Sequence, residues 1–490
     1  MNQDSPLSRR RAGLLLHPTS LPGGYGNGDL GPDAYRFIEF MAACGFSIWQ
    51  TLPLGPTHGD LSPYSAQSAH AGNPRLIALE PLIEAGWLQA DQGPLATEDG
   101  WSYRQRRLSE AYQGFQQHGA AEQDAYDAFQ RQHAWLDDYA LYQAIRAAQQ
   151  QQAWSDWPVE LRDRQPKALK AARQRYAAAI AQCKFEQFLF YRQWAALKQF
   201  ANERGILIFG DIPLFVGYDS ADVWACREAF QLDREGRPEV VAGVPPDYFS
   251  ATGQLWGNPH YAWDRMRADG FTWWKNRIRT QFTQFDLLRI DHFRGLEAYW
   301  EIPATAETAV NGRWQTAPGN ELFEALQQEF GPLSLVAEDL GIITPEVEAL
   351  RDTHGLPGMK VLQFAFGGGA TNPYLPHNHI VNAVAYTGTH DNDTTVGWFE
   401  GLDESTRSYF FDYLGGSPEQ MPELLIRVVF ASVACLAVIP MQDVLKLGSA
   451  DRMNQPGIPN GNWVWRFRWE QLEAGVADHY RHLLQMYGRI

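Results

Sequence analysis

Four short segments of this chain end an apolar run on a carboxylate. They are Gly210-Asp211-Ile212-Pro213, Arg289-Ile290-Asp291-His292-Phe293-Arg294-Gly295, Val336-Ala337-Glu338-Asp339-Leu340-Gly341 and Thr389-His390-Asp391-Asn392-Asp393. The runs before them are Ile206–Phe209, Leu287-Leu288, Leu333–Val336 and Ala383–Tyr386. An apolar strand that stops abruptly at a carboxylate suggests a parallel barrel whose reactive groups gather at one rim. Several carboxylates with arginine and histidine beside them suggest chemistry at a glycosidic bond, which needs a pair of acids.

Arg289 and Asp291 are two residues apart, so on a strand they share a face. A guanidinium there keeps the carboxylate ionised, as a nucleophile requires. The same pair also reads as a structural ion pair at the rim. Glu338 stands next to Asp339, and a neighbouring carboxylate with partial burial raises a carboxyl toward the range of a general acid. Those two acids also read as a cap on the following helix. Asp391, with His390 beside it and His292 on another segment, can hydrogen-bond sugar hydroxyls as the ring distorts toward an oxocarbenium ion. A rim histidine is otherwise structural. His390, Asp391, Asn392 and Asp393 resemble a metal-ligand cluster. No second histidine follows at helical spacing, and no predicted strand carries His-x-His, so no metal is expected. Gly367-Gly368-Gly369 lacks the strand–GxGxxG–helix context and the lysine of a phosphate loop.

Eight candidate strands position these groups: Gly13–Leu16, Ser47–Leu52, Ile206–Phe209, Leu287–Ile290, Leu333–Ala337, Lys360–Phe366, Ala383–Tyr386 and Leu436–Ile439. Most are continuous apolar runs, as expected of strands covered on both faces. Helical patterns at Pro32–Cys44, Gly319–Phe330 and Thr344–Thr353 fill the gaps, the last opened by Thr344-Pro345. The predicted class is α/β, a (β/α)8 TIM barrel forming a single catalytic domain over 1–490. Large insertions follow strands 2 and 3. Residues 56–204 read as a mostly helical subdomain, since aromatics interleave its glutamines at helical spacing. Residues 216–285 read as a loop-rich subdomain lying over the rim. No β-sandwich domain is expected after the barrel.

At 490 residues the chain is long for a bare barrel and fits one with insertions. The net charge of −16 argues against nucleic-acid or membrane-surface binding and suits a neutral partner. Aromatics make up 13% of the chain, with 18 Trp, enough for packing and for stacking on sugar rings. Cys44, Cys183, Cys226 and Cys435 have no metal or redox spacing and read as buried hydrophobes of a reducing cytoplasm. The apolar run after Arg9-Arg10-Arg11 is too short for a signal peptide, and no stretch is long enough to span a bilayer.

The order of these segments resembles the α-amylase clan. The finer motifs resemble the 4-α-glucanotransferases of the amylomaltase type, glycoside hydrolase family 77. The motifs are Leu16-His17-Pro18-Thr19-Ser20-Leu21-Pro22, Ser62-Pro63-Tyr64, Gly210–Pro213, Gln254-Leu255-Trp256-Gly257-Asn258-Pro259, Arg289–Gly295, Ala337–Gly341, Gly358–Phe364, Tyr386–Thr394 and Arg452–Arg466. They span nearly the whole chain in family order, with 95–200 matching least.

The resemblance implies Asp291 as nucleophile, Glu338 as acid/base and Asp391 as the transition-state stabiliser. It implies sugar binding by Tyr64, Asp211, Tyr248, Phe249, Gln254, Trp256, Arg289, His292, His390 and Asn460. It implies α-1,4-glucans and maltooligosaccharides as partners, glucose as an acceptor, and neither metal nor organic cofactor. Thr316-Ala317-Pro318-Gly319 replaces a Lys-Gly-Pro-Gly common in the family, which bears on chain-length preference. A hydrolase of the same clan is the alternative activity, and a non-enzymatic glycan-binding protein a more distant one.

Overall fold

Continuous apolar segments become the parallel strands of a barrel because both of their faces are covered. The computed structural model describes residues 6–246, 250–458 and 460–490. Its strands in chain order are β1 (Arg11–Leu15), β2 (Ile48–Gln50), β3 (Leu207–Pro213), β4 (Val240–Val244), β5 (Gln254–Pro259), β6 (Leu287–Asp291), β7 (Ala298–Pro303), β8 (Arg313–Thr316), β9 (Leu335–Ala337), β10 (Gly358–Val361), β11 (Ala383–Tyr386) and β12 (Leu436–Pro440). One parallel sheet runs β10-β11-β12-β1-β2-β3-β6-β9, so the eight expected strands lie side by side in sequence order. The ring is drawn together between β9 and β10, where the Ala337 amide donates to Pro357 O at 2.8 Å. There the Met359 amide donates to the Asp339 carboxylate at 2.6 Å. That carboxylate occupies the space a β-carbon on Gly358 would need, so β10 can begin only on glycine. This is the expected TIM barrel.

Three helices have the expected bounds: Pro32–Cys44, Gly319–Phe330 and Pro345–Thr353, the last with Thr344 at its cap position. The 56–204 segment is helical through Gly100–His118, Gln123–Gln132, Leu136–Ala148, Pro166–Arg175 and Ala177–Glu203. Its last helix joins the insertion to the barrel. Two buried glutamines on it read backbone: Gln187 takes both polar groups of Gly72, and Gln193 those of Ala78, at 2.8–2.9 Å. Farther along, Trp194 Nε1 donates to Gln284 O at 2.9 Å, at the end of the helix that precedes β6.

Three expectations change. The 216–285 segment is not mainly loop, since it contributes β4, β5 and the helix Thr272–Gln284. β4 and β5 pair antiparallel with β7 and β8 in a second sheet ordered β5-β4-β7-β8. An insertion after the fourth barrel strand therefore joins the one after the third. The sixth barrel strand stops at Val361 rather than Phe366, because Leu362–Phe364 turns into a single 3-10 turn whose residues stay mostly buried. After β12 the described chain adds loops, the short helix Met441–Val444 and the helix Val476–Met486, with no β-sandwich among the described residues.

A fully buried arginine near the C-terminus closes the barrel floor. Arg489 donates to Phe430 O (2.7 Å), Arg11 O (2.9 Å), Ala434 O (3.2 Å) and Ser432 O (2.8 Å), tying the start of β1 to the approach to β12. Arg489→Ala removes this buried donor from all four carbonyls, of which Ser432 O and Phe430 O still accept from Arg10. It is expected to cost about 3 kcal/mol, read as a lower urea midpoint with an unchanged slope.

Candidate active site

The barrel's register brings the acids together. Arg289 on β6 pairs with Asp211 on β3 and with Val336 on β9; Asp291 pairs with Pro213. Ile290 pairs with Ala337, so the next positions along the two strands, Asp291 and Glu338, stand side by side at the carboxyl-end rim. Side chains alternate faces, which is why Arg289 and Asp291 meet. Arg289 bridges two carboxylates: Nη1 donates to Asp211 Oδ2 at 2.5 Å and Nη2 to Asp291 Oδ1 at 2.8 Å. The Tyr64 hydroxyl donates to the same Asp211 oxygen at 2.6 Å.

His292 takes a left-handed backbone conformation (φ 54°) immediately after Asp291. Such a conformation is costly for a residue with a side chain and collects at functional sites. Here it aims the His292 amide at Glu338 Oε2, 2.7 Å away, while the Leu340 amide donates to Oε1 at 3.0 Å. Glu338 is thus fixed at both oxygens. Its neighbour Asp339 faces the other way and holds Met359 N and Arg351 Nη1 (2.5 Å). The two adjacent acids divide the two readings of the sequence: one faces the cleft and the other fastens β10 and the helix at 345–353.

Asp391 follows β11. Its Oδ1 accepts from Asn454 Nδ2 at 2.6 Å, and its Oδ2 lies 3.3 Å from His390 Nε2. Arg452 Nη2 holds its carbonyl at 3.0 Å. Tyr64 stacks on the His390 ring (5.2 Å, 14°), and Trp463, itself at φ 66°, leans on both rings.

These groups open onto a cavity of about 1250 Å³ lined by Tyr64, Trp256, Asp291, Glu338, Asp391 and Trp463 among others. Arg289, His292 and Gln254 also line it. Trp256 sets its edge against His292 at 4.8 Å, and its Nε1 donates to Gln254 Oε1 at 3.0 Å. Asp211 is expected to line the site, yet it is fully buried behind Tyr64 and Arg289 and meets the cleft only through them. His390 is buried beneath Tyr64 with its Nε2 toward Asp391, whose side chain lines the cavity. Asn460 is exposed on the loop after β12 and is absent from the cavity wall, where Asn454 stands instead. Tyr248 and Phe249 lie outside the described residues. Sequence reasoning missed Asn454, Trp463 and Gln363. The first two sit inside the Arg452–Arg466 motif and Gln363 inside Gly358–Phe364, and those motifs were the available signal.

The electrostatics separate the acids. Burial, with the charge of Asp291 adding to it, raises Glu338 to about 8 against the pull of Arg289 and the His292 amide. Burial also raises Asp291, to about 6, with Arg289 opposing and Asp211 and Asp391 reinforcing. Burial pushes Asp391 up as well, but His390, Asn454 and Arg289 outweigh it and hold that carboxyl well below the usual range. Burial lowers His292 to about 3, so its ring is neutral. At neutral pH the site therefore offers one protonated acid, one largely ionised carboxylate beside it, and one permanently ionised carboxylate. Divergence of this kind assigns acid and nucleophile in a pair.

Comparison with known proteins gives the family. The model of glycoside hydrolase family 77, described as 4-alpha-glucanotransferase, matches residues 16–472. The 4-alpha-glucanotransferase of Thermus thermophilus is 52% identical over 473 residues, covering 93% of this chain and 94% of that one. That of Synechocystis is 48% identical, with 99% of each chain covered. The amylomaltase from Streptococcus agalactiae, solved in complex with acarbose, superposes with a TM-score of 0.94 at 37% identity, over 98% of this chain and 100% of that one.

Proposed function

The chain belongs to the 4-alpha-glucanotransferase family, glycoside hydrolase family 77, and from that premise we propose how its own residues carry a glucan segment from donor to acceptor. It is a 4-α-glucanotransferase of the amylomaltase type. The hydrolase alternative is not favoured, since the similar proteins carry the transferase name. Residues 1–490 act as one catalytic domain, with 56–204 and 216–285 inserted into it.

In the first step Glu338 donates its proton to the α-1,4 glycosidic oxygen while an oxygen of Asp291 attacks the anomeric carbon. The glycosidic C–O bond breaks, the reducing-end portion leaves with a 4-hydroxyl, and the rest stays as a β-linked ester on Asp291. In the second step Glu338, now a carboxylate, removes the proton of an acceptor 4-hydroxyl. That oxygen attacks the anomeric carbon and releases Asp291. Two inversions retain the α configuration. The carboxylate of Asp391 stabilises the positively charged ring and Arg289 orients Asp291, while Tyr64, Gln254, Trp256, His292 and His390 shape the cleft around it. The acceptor is another maltooligosaccharide or glucose.

The observation that carries this reading is the register of Asp291 beside Glu338. Adjacent strands run about 4.8 Å apart, which suits the carboxyl separation of about 5–5.5 Å in retaining enzymes rather than the wider gap of inverting ones. Water and sugar compete for the ester, and an acceptor held in a cleft walled by Trp256 and Trp463 gains effective molarity over water. The four free thiols support a reducing compartment such as the cytoplasm. Among the described residues no helix is long and apolar enough to cross a membrane.

The test is maltotriose alone. Glucose plus a ladder of longer maltooligosaccharides is the expected product set. Glucose and maltose only, with reducing ends rising steadily, would overturn transfer in favour of hydrolysis.

A further inference from the structure

Beyond the catalytic cleft, the edge strand of the second sheet carries an exposed tryptophan. Trp314 on β8 opposes Trp300 on β7, with ring centroids 5.1 Å apart at 64°. The guanidinium of Arg294 lies over its ring at 3.8 Å. Arg294 is itself buried and donates to Ile342 O at 2.5 Å. Trp300 is pinned in turn by its Nε1 bond to Ala309 O at 2.9 Å. Trp314 is thus held by a cation–π contact and an edge contact, yet remains 39% exposed, beside Ile342 at 48%. Val310, next to the carbonyl that holds Trp300, is 47% exposed. Scattered surface hydrophobics need no explanation, but a rigid indole held by the same arginine as an exposed Ile342 does.

The patch adjoins the cleft along the chain. Leu340 and Gly341 line the catalytic cavity, and the next residue, Ile342, is the one whose carbonyl Arg294 holds beneath Trp314. The segment that begins at Glu338 therefore leads directly from the catalytic acid to this indole. A sugar ring offers apolar C–H faces and a rim of hydroxyls. A fixed indole supplies contact area for those faces at low entropic cost.

We propose that Trp314, backed by Arg294 and flanked by Ile342, is an outlying binding site for α-1,4-glucan chains that extend beyond the catalytic cleft. The occupant is the glucan itself, because Ile342 directly follows two residues that line the glucan cleft. Chains too short to leave the cleft do not reach it, so Trp314 sets preference for donor length. This rests on the transferase reading above. β8 ends at Thr316, so the departure from the family at Thr316-Ala317-Pro318-Gly319 falls on the same edge.

The experiment compares kcat/KM for amylose, with glucose as acceptor, against kcat/KM for maltotriose in the full chain. In Trp314→Ala the amylose-to-maltotriose ratio is expected to fall about 5- to 10-fold, and Trp314→Phe should recover part of it. A ratio equal to that of the wild type, or an equal loss on both donors, would overturn the proposal. Should Trp314→Ala fail to fold, Ile342→Ser, a change at an exposed position, decides the matter by the same ratio. Wild-type protein that cannot disproportionate maltotriose would refute the underlying catalytic reading instead, so the two failures are distinguishable.

Discussion

Asp291→Asn is expected to reduce kcat for disproportionation on the order of 10⁴- to 10⁶-fold, the range seen when a covalent nucleophile is removed. The substitution keeps the shape of the side chain, and its amide oxygen can still accept from Arg289 Nη2. It removes only the charge that forms the ester. Asp291 is crowded by Asp211 and Asp391, both of which raise its affinity for protons. Neutralising it relieves repulsion, so the melting temperature should hold or rise while activity collapses. A structural ion pair would behave in the opposite way, losing stability with little effect on turnover. The charge of Asp291 also helps to hold Glu338 protonated, so Glu338 should titrate lower in the variant. In Asp291→Ala, azide with an α-glucosyl fluoride donor should enter from the vacated face, expelling fluoride and giving the inverted β-glucosyl azide. An α-azide from that variant would mean that another residue forms the ester.

The barrel was legible because its strands are buried on both faces and carry their pattern in composition alone. Ala383–Tyr386 is wholly apolar and has the expected bounds. The second sheet was not legible for the complementary reason. Gln254–Pro259 is mostly exposed and contains three residues that favour turns, while Arg313–Thr316 has no buried position. Those strands exist through pairing with the strand before them, and neither periodicity nor propensity reports that. Lys360–Phe366 misled in length because burial continues through the 3-10 turn after the strand.

The same division holds in the site. Asp291 and Glu338 sit at strand ends, where position along the chain predicts position in space. Asn454 reaches Asp391 from 63 residues away on a loop, and no local spacing marks which residue of that loop turns inward. Asp211 was placed on the correct rim but at the wrong depth. Its partners Tyr64 and Arg289 come from separate segments and close over it, so its contribution is to fix Arg289 between two carboxylates.

Glu338→Gln should lower kcat with maltooligosaccharide donors about 10²- to 10⁴-fold, the usual weight of general acid–base catalysis. The wild-type pH profile is expected to be bell-shaped, and the signs follow from the two raised carboxyls. Below about 6, Asp291 takes up a proton and cannot attack; above about 8, Glu338 loses its proton and cannot assist the leaving oxygen. The pair titrates as a unit, so the two limbs belong to the dyad. A carboxamide in place of the Glu338 carboxyl cannot titrate, so the residual activity of the variant should lose the alkaline limb and keep the acid one. Fluoride leaves without a proton, so an α-glucosyl fluoride donor should restore formation of the ester but not its transfer to a sugar. Azide needs no base and should then release the ester with the α configuration retained, opposite to the product expected from the Asp291 variant. An alkaline limb that persists in Glu338→Gln would assign the proton to another group. Tyr64 and Tyr374, whose hydroxyls titrate far above that limb, could not supply it. The nearest carboxyl along the chain, Asp339, is turned away and held by Arg351 and Met359. Within this cleft the opposite stereochemistry of the two azides therefore separates the nucleophile from the acid/base without recourse to rates.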